Sequence, residues 1–404
     1  MPSIEPFKQA VGRTEAGGAS RLILFLTVFI DLLGFGIVIP FLPMFAERMG
    51  VGAVGIGLVL SIYSLMQFIC APVLGRISDR VGRKPIIMLG LLGSSLGYLV
   101  YGFADSFFWL LAARAIHGAC AATISTAQAY VADTTDERDR AKGMGLVGAA
   151  FGLGFVLGPA LGGILGHSSL RTPVFFASAL TFANFIFAAF RLPESHYPDR
   201  SARLDLRQFI APIVALPREL LRHRLARMFA IAFLLTFSFA ALEATFALMV
   251  PAVYGYGAFG IGVLLAFTGM IQAITQGYLL GPIAHKVGEA RLLRLGLIAM
   301  ALGLAPIGTI ASHGALLAML AVIAVGYGFA SPSIASLISR NTESHLQGEV
   351  LGVNQSALSL ARICGPIAGG VLYQMMGPSA PYAGGAAIAL LAFTLSNGIE
   401  TGRI

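Results

Sequence analysis

The sequence predicts an all-α membrane protein with twelve transmembrane helices in two pseudo-symmetric six-helix bundles. The chain of 404 residues is 57% hydrophobic and only 11% charged, and its mean hydropathy is +0.82. Soluble globular proteins carry about 25% charged residues, so this chain has too few charges to cover a water-facing surface. Twelve long apolar runs and an internal repeat define the helices and the bundles.

Each apolar run is long enough to be a transmembrane helix, which needs about 20 residues to cross the hydrocarbon. We number these runs spans 1 to 12 in chain order. Their approximate bounds are 22–45, 54–75, 86–104, 107–130, 142–166, 173–191, 228–253, 259–283, 292–311, 314–338, 350–374 and 380–399.

Two stretches of the chain repeat each other at almost the same offset. Residues 132–165 align without gaps with residues 339–372 at an offset of 207, which matches Gly158 with Gly365. Residues 75–84, GRISDRVGRK, align with the start of a later stretch at an offset of 206. Two matches at nearly one offset indicate a duplicated unit of six spans.

The predicted organisation is an N-terminal tail (1–21), a first bundle (22–191), a linker (192–226), a second bundle (227–399) and a C-terminal tail (400–404). A linker of about 35 residues is too short for a further folded domain. It is either a short amphipathic helix on the membrane surface or a solvated tether, and it would let the two bundles move relative to each other.

The basic residues lie on one side of the predicted membrane. Alternate loops and both termini hold all but four of the 27 lysines and arginines; Arg48 and Arg171 lie on the other side, and Arg114 and Arg362 lie inside spans. Cytoplasmic loops carry such an excess, so we expect a multi-pass protein of the cell (inner) membrane with both termini in the cytoplasm. The net charge of +8 therefore reflects topology, and no nucleic-acid partner is expected.

We call residues 75–84 the charged loop and residues 281–291, GPIAHKVGEAR, the second loop. The charged loop joins spans 2 and 3 and is expected to form a cytoplasmic gate. The gate residues would be Gly75, Asp79, Arg80, Gly82, Arg83 and Lys84. The glycines permit a tight turn, and the acid can pair with an arginine or accept hydrogen bonds from a helix N-terminus. The alternative is a loop that only anchors the topology.

The three cations of this gate have two kinds of expected partner. Arg80, Arg83 and Lys84 can pair with acids such as Asp136 and Glu137, or with anionic lipid.

Span 5 carries glycines at a four-residue period, which places them on one helix face. The expected helix-packing residues are Gly154, Gly158, Pro159 and Gly162 in span 5, with Gly365 and Gly369 as their copies in span 11. Small residues on one face let helices approach closely in a membrane. We expect these faces to pack across the interface between the two bundles.

Four ionisable residues inside spans are the strongest functional signal, because a charge that faces lipid costs several kcal/mol. They are Asp31, Arg114, Glu243 and Arg362. We expect Asp31 and Glu243 to line a central cavity and at least one of them to carry a coupled proton, with Arg114 keeping the acid ionised when it is near. The alternatives are a static ion pair of Asp31 with Arg114, recognition of cationic substrates by Glu243, and a snorkelling or helix-break role for Arg362. His117, one turn from Arg114, is considered as a proton relay.

The rest of the cavity is expected to be apolar with a few polar groups. Candidate lining residues are Tyr63, Gln67, Gln128, Phe239, Gln272, Gln276, Asn354 and Gln355. Each can instead face lipid or bond a neighbouring helix.

Four motifs in chain order resemble those of the major facilitator superfamily. They are FIDLLGFGIVIPFLP in span 1, GRISDRVGRK after span 2, LLAARAIHGACAATISTAQAYVAD in span 4 and GFVLGPALGGILG in span 5. They are similar to the motifs of its twelve-span drug–proton antiporters, closest to the tetracycline-resistance-like multidrug exporters. The resemblance implies a secondary transporter, not an enzyme, that exports amphipathic drugs or related small molecules in exchange for protons by alternating access. It also implies that Asp79 contacts Gly348–Leu351 in the outward-facing state.

The sequence departs from the tetracycline antiporters at two positions, where they carry acids and this chain has Gly97 and Met300. A cationic magnesium–tetracycline chelate would need those carboxylates, which argues against tetracycline as substrate. The alternative functions are a uniporter or proton-coupled transporter of a metabolite, sugar or lipid, and a receptor on the same fold.

The expected partners are a small amphipathic substrate, protons and the lipid bilayer, with the chain acting as a monomer. The sequence has no GxxxxGKS/T loop for ATP and no His/Cys cluster for a metal. We therefore expect no catalytic residues, no metal and no cofactor, with the proton gradient as the energy source.

Overall fold

In the computed structural model the described residues are 5–121, 123–134, 140–167, 169–195, 223–342 and 347–397, and all their regular secondary structure is helical. The first part of the chain forms α1 (Glu5–Val38), α2 (Leu42–Glu47), α3 (Ala53–Val81), α4 (Arg83–Phe103), α5 (Phe107–Cys120), α6 (Thr123–Thr134), α7 (Arg140–Gly166) and α8 (Thr172–Arg191), with a 3-10 turn over Ile39–Phe41. The second part forms α9 (His223–Tyr254), α10 (Ala258–Ile274), α11 (Leu280–Val287), α12 (Glu289–Leu304), α13 (His313–Arg340), α14 (Gln347–Met376) and α15 (Ala380–Ser396), with a π-helical turn over Thr275–Leu279.

Ten helical stretches of the described residues are long and apolar enough to cross a membrane. They coincide with spans 1 to 8, 10 and 11, so the predicted all-α membrane class is confirmed. The helices at spans 9 and 12, α12 and α15, have only 16 and 17 residues. α12 ends early because Pro306 and Gly308, the latter with a φ of +80°, follow it and neither residue continues a helix well.

Span 4 comprises α5 and α6, which lie together in one helical stretch long and apolar enough to cross a membrane, Phe107–Thr134. The carbonyl group of Ala121, which follows α5, accepts a hydrogen bond of 3.4 Å from Gln67 Nε2. Gln67 lies on α3, so this bond links α3 to the end of α5.

The buried hydrophobic side chains separate into two groups along the chain. One large cluster is built from residues between Leu225 and Ala392. Two further clusters are built from residues between Leu24 and Leu192, joined only by Leu248 from the later part of the chain. Helices α1–α8 therefore pack mainly with one another, as do α9–α15, and we call these the first and second helix groups.

The two helix groups pack closely where α3 meets α14 and where α7 meets α10. A Cβ atom added at Gly57 on α3 would lie 2.8 Å from the carbonyl carbon of Pro366 on α14. One added at Gly262 on α10 would lie 2.8 Å from the Cα atom of Gly163 on α7. Only glycine allows such close approach, so we call this end of the molecule the closed end.

The opposite ends of the same helices stand apart. Among the described residues, no atom lies within 4 Å of a Cβ atom added at Gly75 on α3, Gly148 on α7, Gly277 in the π-helical turn or Gly352 on α14, helix backbone and chain neighbours excluded. This open end is the one that carries the charged loop, so the structure holds its two helix groups together at one end and apart at the other.

The glycine face of α7 packs inside its own helix group and not across the interface, in contrast to the expectation. A Cβ atom at Gly158 would lie 2.6 Å from the Cα atom of Gly36 on α1. In the second group, one at Gly365 would lie 2.8 Å from the Phe237 carbonyl oxygen on α9. Gly154 and Gly162 likewise face α1, and Gly369 faces α9.

The residues that cross the interface are the next ones along the chain. Gly163 faces α10, and a Cβ atom at Gly370 would lie 2.8 Å from the Ala53 carbonyl carbon on α3. The carbonyl oxygen of Pro159 also faces α10. Residues four apart lie on the same face of a helix, and the following residue is turned by about 100° around the axis. The spacing of the glycines therefore identified which residues share a face, but not which helix that face packs against.

Candidate functional site

Asp31 lies on α1 without a hydrogen-bond partner for one of its oxygens. Its Oδ1 atom is buried and bonds no described residue. The side chain lies within electrostatic range of the Tyr63 and Tyr98 hydroxyl groups. A carboxylate needs a donor or a cation close by to remain charged in such a place. The geometry therefore makes the protonation of Asp31 depend on which group approaches it.

Arg114 on α5 is 2% exposed. Its guanidinium carbon stands 4.4 Å from the ring centroid of Tyr63 and 6.0 Å from that of Phe35. Its Nη1 atom is 3.5 Å from His117 Nδ1, and its Nε atom has no hydrogen-bond partner among the described residues. The aromatic rings supply part of the stabilisation that an anion would supply.

Asp31 and Arg114 do not form an ion pair within the described residues. Within the described residues, no carboxylate oxygen lies within 4.0 Å of the Arg114 nitrogens. Tyr98 lies within electrostatic range of both groups. The static ion pair considered from the sequence is therefore not formed in this state.

Three aromatic rings surround His117. Their centroids lie at 4.4 Å for Tyr98, 5.1 Å for Tyr63 and 6.0 Å for Phe35 from the imidazole centroid. Gly97 permits this packing, since a Cβ atom there would lie 3.0 Å from the Cβ atom of His117. Sequence reasoning missed Phe35 and Tyr98; the available signal was that Phe35 follows the α1 acid by one helical turn.

Glu243 on α9 lies within electrostatic range of Arg362 and of Arg114. Arg362 lies inside α14, where its Nη2 atom donates a hydrogen bond of 3.3 Å to Ser359 Oγ, and it is within electrostatic range of Tyr327. The sequence had suggested a snorkelling or helix-break role for Arg362. The structure instead places it with the acid of the second helix group.

The eight candidate cavity residues differ in exposure. Tyr63 and Asn354 are buried, Gln67, Phe239 and Gln272 are half-buried, and Gln128, Gln276 and Gln355 are exposed. Phe239 stacks on Tyr327 with 4.0 Å between centroids, and the buried Asn354 Oδ1 atom bonds no described residue. Gln355 is turned by about 100° from Asn354, so these two neighbours do not face the same side of α14.

Arg83 is the centre of the charged loop, and its side chain is 9% exposed. Its Nε atom donates to Asp133 Oδ2 at 2.9 Å, and its Nη1 atom donates to Ser78 Oγ at 2.6 Å and to Asp79 Oδ1. Gly82, with a φ of +104°, makes the turn between α3 and α4. The arginine thus ties the end of α3 and the start of α4 to α6.

Glu194, just after α8, binds the N-terminus of α4. Its carboxylate accepts the backbone N–H groups of Arg83 at 2.7 Å and Lys84 at 3.2 Å. A negative charge stabilises a helix at this end. Lys84 Nζ also donates to the Ala189 carbonyl oxygen at 2.8 Å. Sequence reasoning considered this N-terminal role for Asp79 and missed Glu194, which is distant in the chain.

The expected contact of Asp79 with residues 348–351 stays a prediction for the outward-facing state. In this structure Asp79 bonds Arg83. The other two gate candidates, Gly75 and Arg80, lie in the last turns of α3. The possible partners at positions 136 and 137 lie outside the described residues.

The second loop reproduces the central ion pair of the charged loop with the charges exchanged. The two alignments place Glu289 opposite Arg83 and Arg340 opposite Asp133. Arg340 Nη1 lies 3.5 Å from Glu289 Oε2, and Ser336 Oγ donates to Glu289 Oε1 at 2.7 Å. The second loop therefore keeps an ion pair between the aligned positions, although its residues differ from those of the charged loop.

The two positions that depart from the tetracycline antiporters both face a neighbouring helix. Gly97 packs on α5, and the fully buried Met300 on α12 packs on α13, where a Cβ atom at Gly326 would lie 2.6 Å from the Met300 nitrogen. An acid at either position would be buried between helices of one group.

Comparison with known proteins supports a single family. Residues 24–363 and 277–396 match the family model described as Major Facilitator Superfamily. The tetracycline resistance protein, class C, of Escherichia coli is 32% identical over 349 residues, which cover 86% of this chain and 87% of that protein. Multidrug resistance protein 2 of Bacillus subtilis (strain 168) is 32% identical over 368 residues, covering 88% of each.

Solved structures show the same fold. The human organic anion transporter MFSD10 has a TM-score of 0.71 at 26% identity and covers 94% of this chain and 99% of its own. The nucleoside transporter NupG has a TM-score of 0.77 at 12% identity, covering 94% of this chain and 100% of its own, and at that identity the likeness concerns the fold alone.

Proposed function

Because this chain belongs to the major facilitator superfamily, whose members are transporters and not enzymes, we propose that it exports amphipathic drugs or related small molecules in exchange for protons. It is a multi-pass membrane protein that transports small molecules. Relatives named as tetracycline and multidrug resistance proteins support the export of drugs.

The proposed architecture is twelve spans in two pseudo-symmetric bundles, at 22–191 and 227–399, with α12 and α15 as the two shorter spans. The linker at 192–226 would be cytoplasmic together with both termini, and the chain would act as a monomer in the inner membrane. Support comes from the glycine packing, because α7 on α1 and α14 on α9 use the same aligned residues.

The observation that carries the proposal is the position of Asp31 and Arg114 in a molecule whose helix groups meet at only one end. With the basic loops in the cytoplasm, the open end faces inward. Alternating access then requires the groups to part at the closed end and meet at the open end. Asp31 would take up a proton from outside and release it inside, and a closer approach of Arg114 would favour the ionised form of Asp31.

Tetracycline itself is not the substrate that we propose. The positions of Gly97 and Met300 hold no carboxylate to bind a cationic chelate, and both are packed against neighbouring helices. The alternative is a uniporter or a proton-coupled transporter of a metabolite, sugar or lipid. The similarity to a human organic anion transporter favours including anionic compounds in any substrate screen.

Reconstitution in liposomes tests the proposal. A pH gradient is imposed, and uptake of a cationic dye (ethidium), a neutral dye and an anionic dye is followed together with the internal pH. We expect gradient-dependent movement of at least one dye, lost in the Asp31→Asn, Glu243→Gln double variant and retained in Arg171→Gln, whose arginine lies exposed at the closed end. Movement of no dye, or full activity of the double variant, would overturn the proposal.

A further inference from the structure

The two helix groups meet along two seams, which differ in how they are bonded. We call the contact of α3 with α14 the first seam and that of α7 with α10 the second seam. Across the first seam, Val54 N donates a hydrogen bond of 3.4 Å to Gln374 Oε1. Ser61 Oγ donates one of 2.5 Å to the Ile363 carbonyl oxygen. Across the second seam, no hydrogen bond joins α7 to α10 among the described residues.

A cavity of about 740 Å³ lies against the second seam. The side chains that line it include Met44, Arg48, His167, Phe259, Val263 and Leu317. Phe259 belongs to the seam as well, since a Cβ atom at Gly163 would lie 3.2 Å from its carbonyl oxygen. His167 comes one helical turn after Gly163, on the side away from Gly148 at the open end, so the cavity lies at the closed end.

The polar and the apolar walls of this cavity come from different helix groups. Arg48, directly after α2, and His167, directly after α7, are exposed side chains that can donate hydrogen bonds. Phe259 and Val263 on α10 and Leu317 on α13 supply exposed apolar surface. No acid is among the described residues that line the cavity. These walls fit a molecule with an anionic head and an apolar tail.

The packing of Tyr256 gives the cavity a defined wall. This side chain lies over Gly260, where an added Cβ atom would lie 2.5 Å from Tyr256 Cδ1. Its ring centroid is 5.0 Å from that of His313, at the start of α13. These contacts tie the loop between α9 and α10 to α13.

Arg48 differs from Arg171, the other arginine on its side of the predicted membrane. Arg171 Nη2 donates to the Ala104 carbonyl oxygen at 3.4 Å, and its guanidinium carbon lies 6.0 Å from the ring centroid of Phe45. The side chain of Arg48, in contrast, bonds no described residue. A cation that faces a cavity without an acid is available to bind an anion from outside the protein.

The cleft at the first seam has the opposite character. Glu47, next to Arg48, lines this separate cleft of about 520 Å³ together with Tyr373 and Gln374. A carboxylate there repels an anionic group, and Gln374 already bonds α3. Of the two clefts beside α2, the one at the second seam is therefore the one that fits an anion.

We propose that the cavity at the second seam binds an anionic phospholipid of the outer leaflet. Arg48 and His167 hold its phosphate group, and its acyl chains lie on α10 and α13. The inference rests on the proposed function, which places the closed end outside and requires the helix groups to part there. Because the lipid contacts both helix groups, it binds while the second seam is closed and stabilises that state by mass action. The lipid thus links the two groups where no hydrogen bond joins the described residues.

Fluorescence quenching in lipid nanodiscs tests the site without a substrate. Trp109 is the one tryptophan of the chain, so Trp109→Phe, Phe259→Trp leaves a single reporter in the cavity wall. Brominated phosphatidylglycerol or brominated phosphatidylcholine is titrated into discs of unlabelled phosphatidylcholine. We expect the anionic lipid to reach half-maximal quenching at an about fivefold lower mole fraction, the effect of one nearby cation. Adding Arg48→Gln should abolish this preference.

Matched variants separate this site from a general effect of surface charge. Arg171→Gln removes the same charge on the same side but outside the cavity, and it should keep the preference, as should Glu47→Gln in the other cleft. Melting temperatures confirm that the variants are folded. Equal quenching by the two lipids, or a preference that survives Arg48→Gln, would overturn the proposal. Loss of the preference in excess soluble glycerol phosphate would also overturn it, because the site would then bind a free anion and not a lipid.

Labelling at the open end measures the effect of the lipid on the conformation. In a chain whose three native cysteines are replaced by alanine, Gly75→Cys should react faster with an impermeant maleimide in discs that contain phosphatidylglycerol than in phosphatidylcholine alone. Arg48→Gln should remove the difference, and equal rates in the two lipids would refute the stabilisation of the closed seam. Neither measurement uses transport, so a negative result leaves the proposed exchange intact, and absence of dye movement in liposomes would refute the exchange while the quenching still decides the lipid site.

Discussion

The absence of a side chain at Gly97 sets the position of the Arg114 guanidinium group. Gly97 lets α4 and α5 approach until its own Cβ position lies 3.0 Å from His117. His117 and Arg114 lie on adjacent turns of α5, and both face the same aromatic rings. A larger residue at position 97 would push α5 away and move both groups.

Replacing Gly97 by aspartate tests this role and the question of tetracycline together. We expect Gly97→Asp to lower stability by about 1–3 kcal/mol from overpacking, with a further cost for a buried carboxylate, and not to confer tetracycline transport. Thermal unfolding in detergent and drug accumulation in cells are the measurements. Gly148→Asp, at a glycine with open space around it, is the control. Unchanged stability together with new tetracycline export would contradict the prediction.

The sequence identified the ionisable residues of the site more readily than the residues that surround them. Asp31, Arg114 and Glu243 stand out because a charge inside an apolar run is costly unless it has a role. Phe35 and Tyr98 do not stand out, because an aromatic residue in a span is equally compatible with lipid or with the interior. Their positions follow only from how the helices pack.

At the scale of helices, α7 has two glycine faces with different partners. Gly158 packs on α1 in the same helix group, whereas Gly163 packs on α10 in the other group. We expect the first contact to be kept in every conformation, and the second to be made only while the closed end is closed.

Matched valine substitutions should therefore have different effects. We expect Gly158→Val to lower the melting temperature strongly, because its Cβ position lies 2.6 Å from Gly36 Cα. Gly163→Val should leave the melting temperature nearly unchanged but disfavour the closed end, so that Gly75→Cys in a cysteine-free chain reacts more slowly with an impermeant maleimide. Equal effects on melting and labelling would show that the two faces are not distinct.

The two loops should contribute unequally to transport. We expect Asp79→Asn to impair transport far more than His285→Asn, because Asp79 bonds the buried Arg83 whereas the aligned His285 is exposed. Initial rates of dye uptake, normalised to the amount of protein, are the measurement. If the two variants are equally active, the charged loop is only a topology anchor.

The two aligned ion pairs should also differ in strength. Arg83 is 9% exposed, whereas Arg340 is 73% exposed. A buried charge that loses its partners is destabilising, although the acids bonded to Arg83 are 50% and 22% exposed, which weakens the effect through solvent screening. An exposed pair contributes about 1 kcal/mol or less. We therefore expect Arg83→Gln to lower the unfolding temperature much more than Arg340→Gln. Comparable shifts would mean that burial does not set the strength of these pairs.

At the scale of the whole molecule, the closed end has to open if transport occurs by alternating access. A Cβ atom at Gly370 on α14 would lie 3.1 Å from the Cα atom of Val54 on α3. Cysteines at the two positions come within reach of a disulfide once the helices shift slightly to make room for the side chain at position 370.

Oxidising such a pair should stop transport. In a chain whose three native cysteines are replaced by alanine, we expect Val54→Cys, Gly370→Cys to lose dye uptake on oxidation and to regain it on reduction, while each single variant is unaffected. Uptake that persists in the oxidised, cross-linked protein would show that the closed end does not need to open.

The sequence predicted the helices and the duplication from apolar run length and offset. It could not predict which end is open, because run length and offset carry information about packing within each helix group and none about the contact between the groups. The early end of α12 also escaped prediction, since apolar composition continues past it.

The exchanged ion pairs have a consequence for assembly during synthesis. A duplicated chain can fold with a helix of one half in the place of its copy. Here α4 against α13 would set Arg83 beside Arg340, and α12 against α6 would set Glu289 beside Asp133. Both mismatches bring like charges together, and like charges in contact reject a wrong partner. We therefore expect the reversed polarity to disfavour pairing of a helix from one half with the wrong helix from the other half.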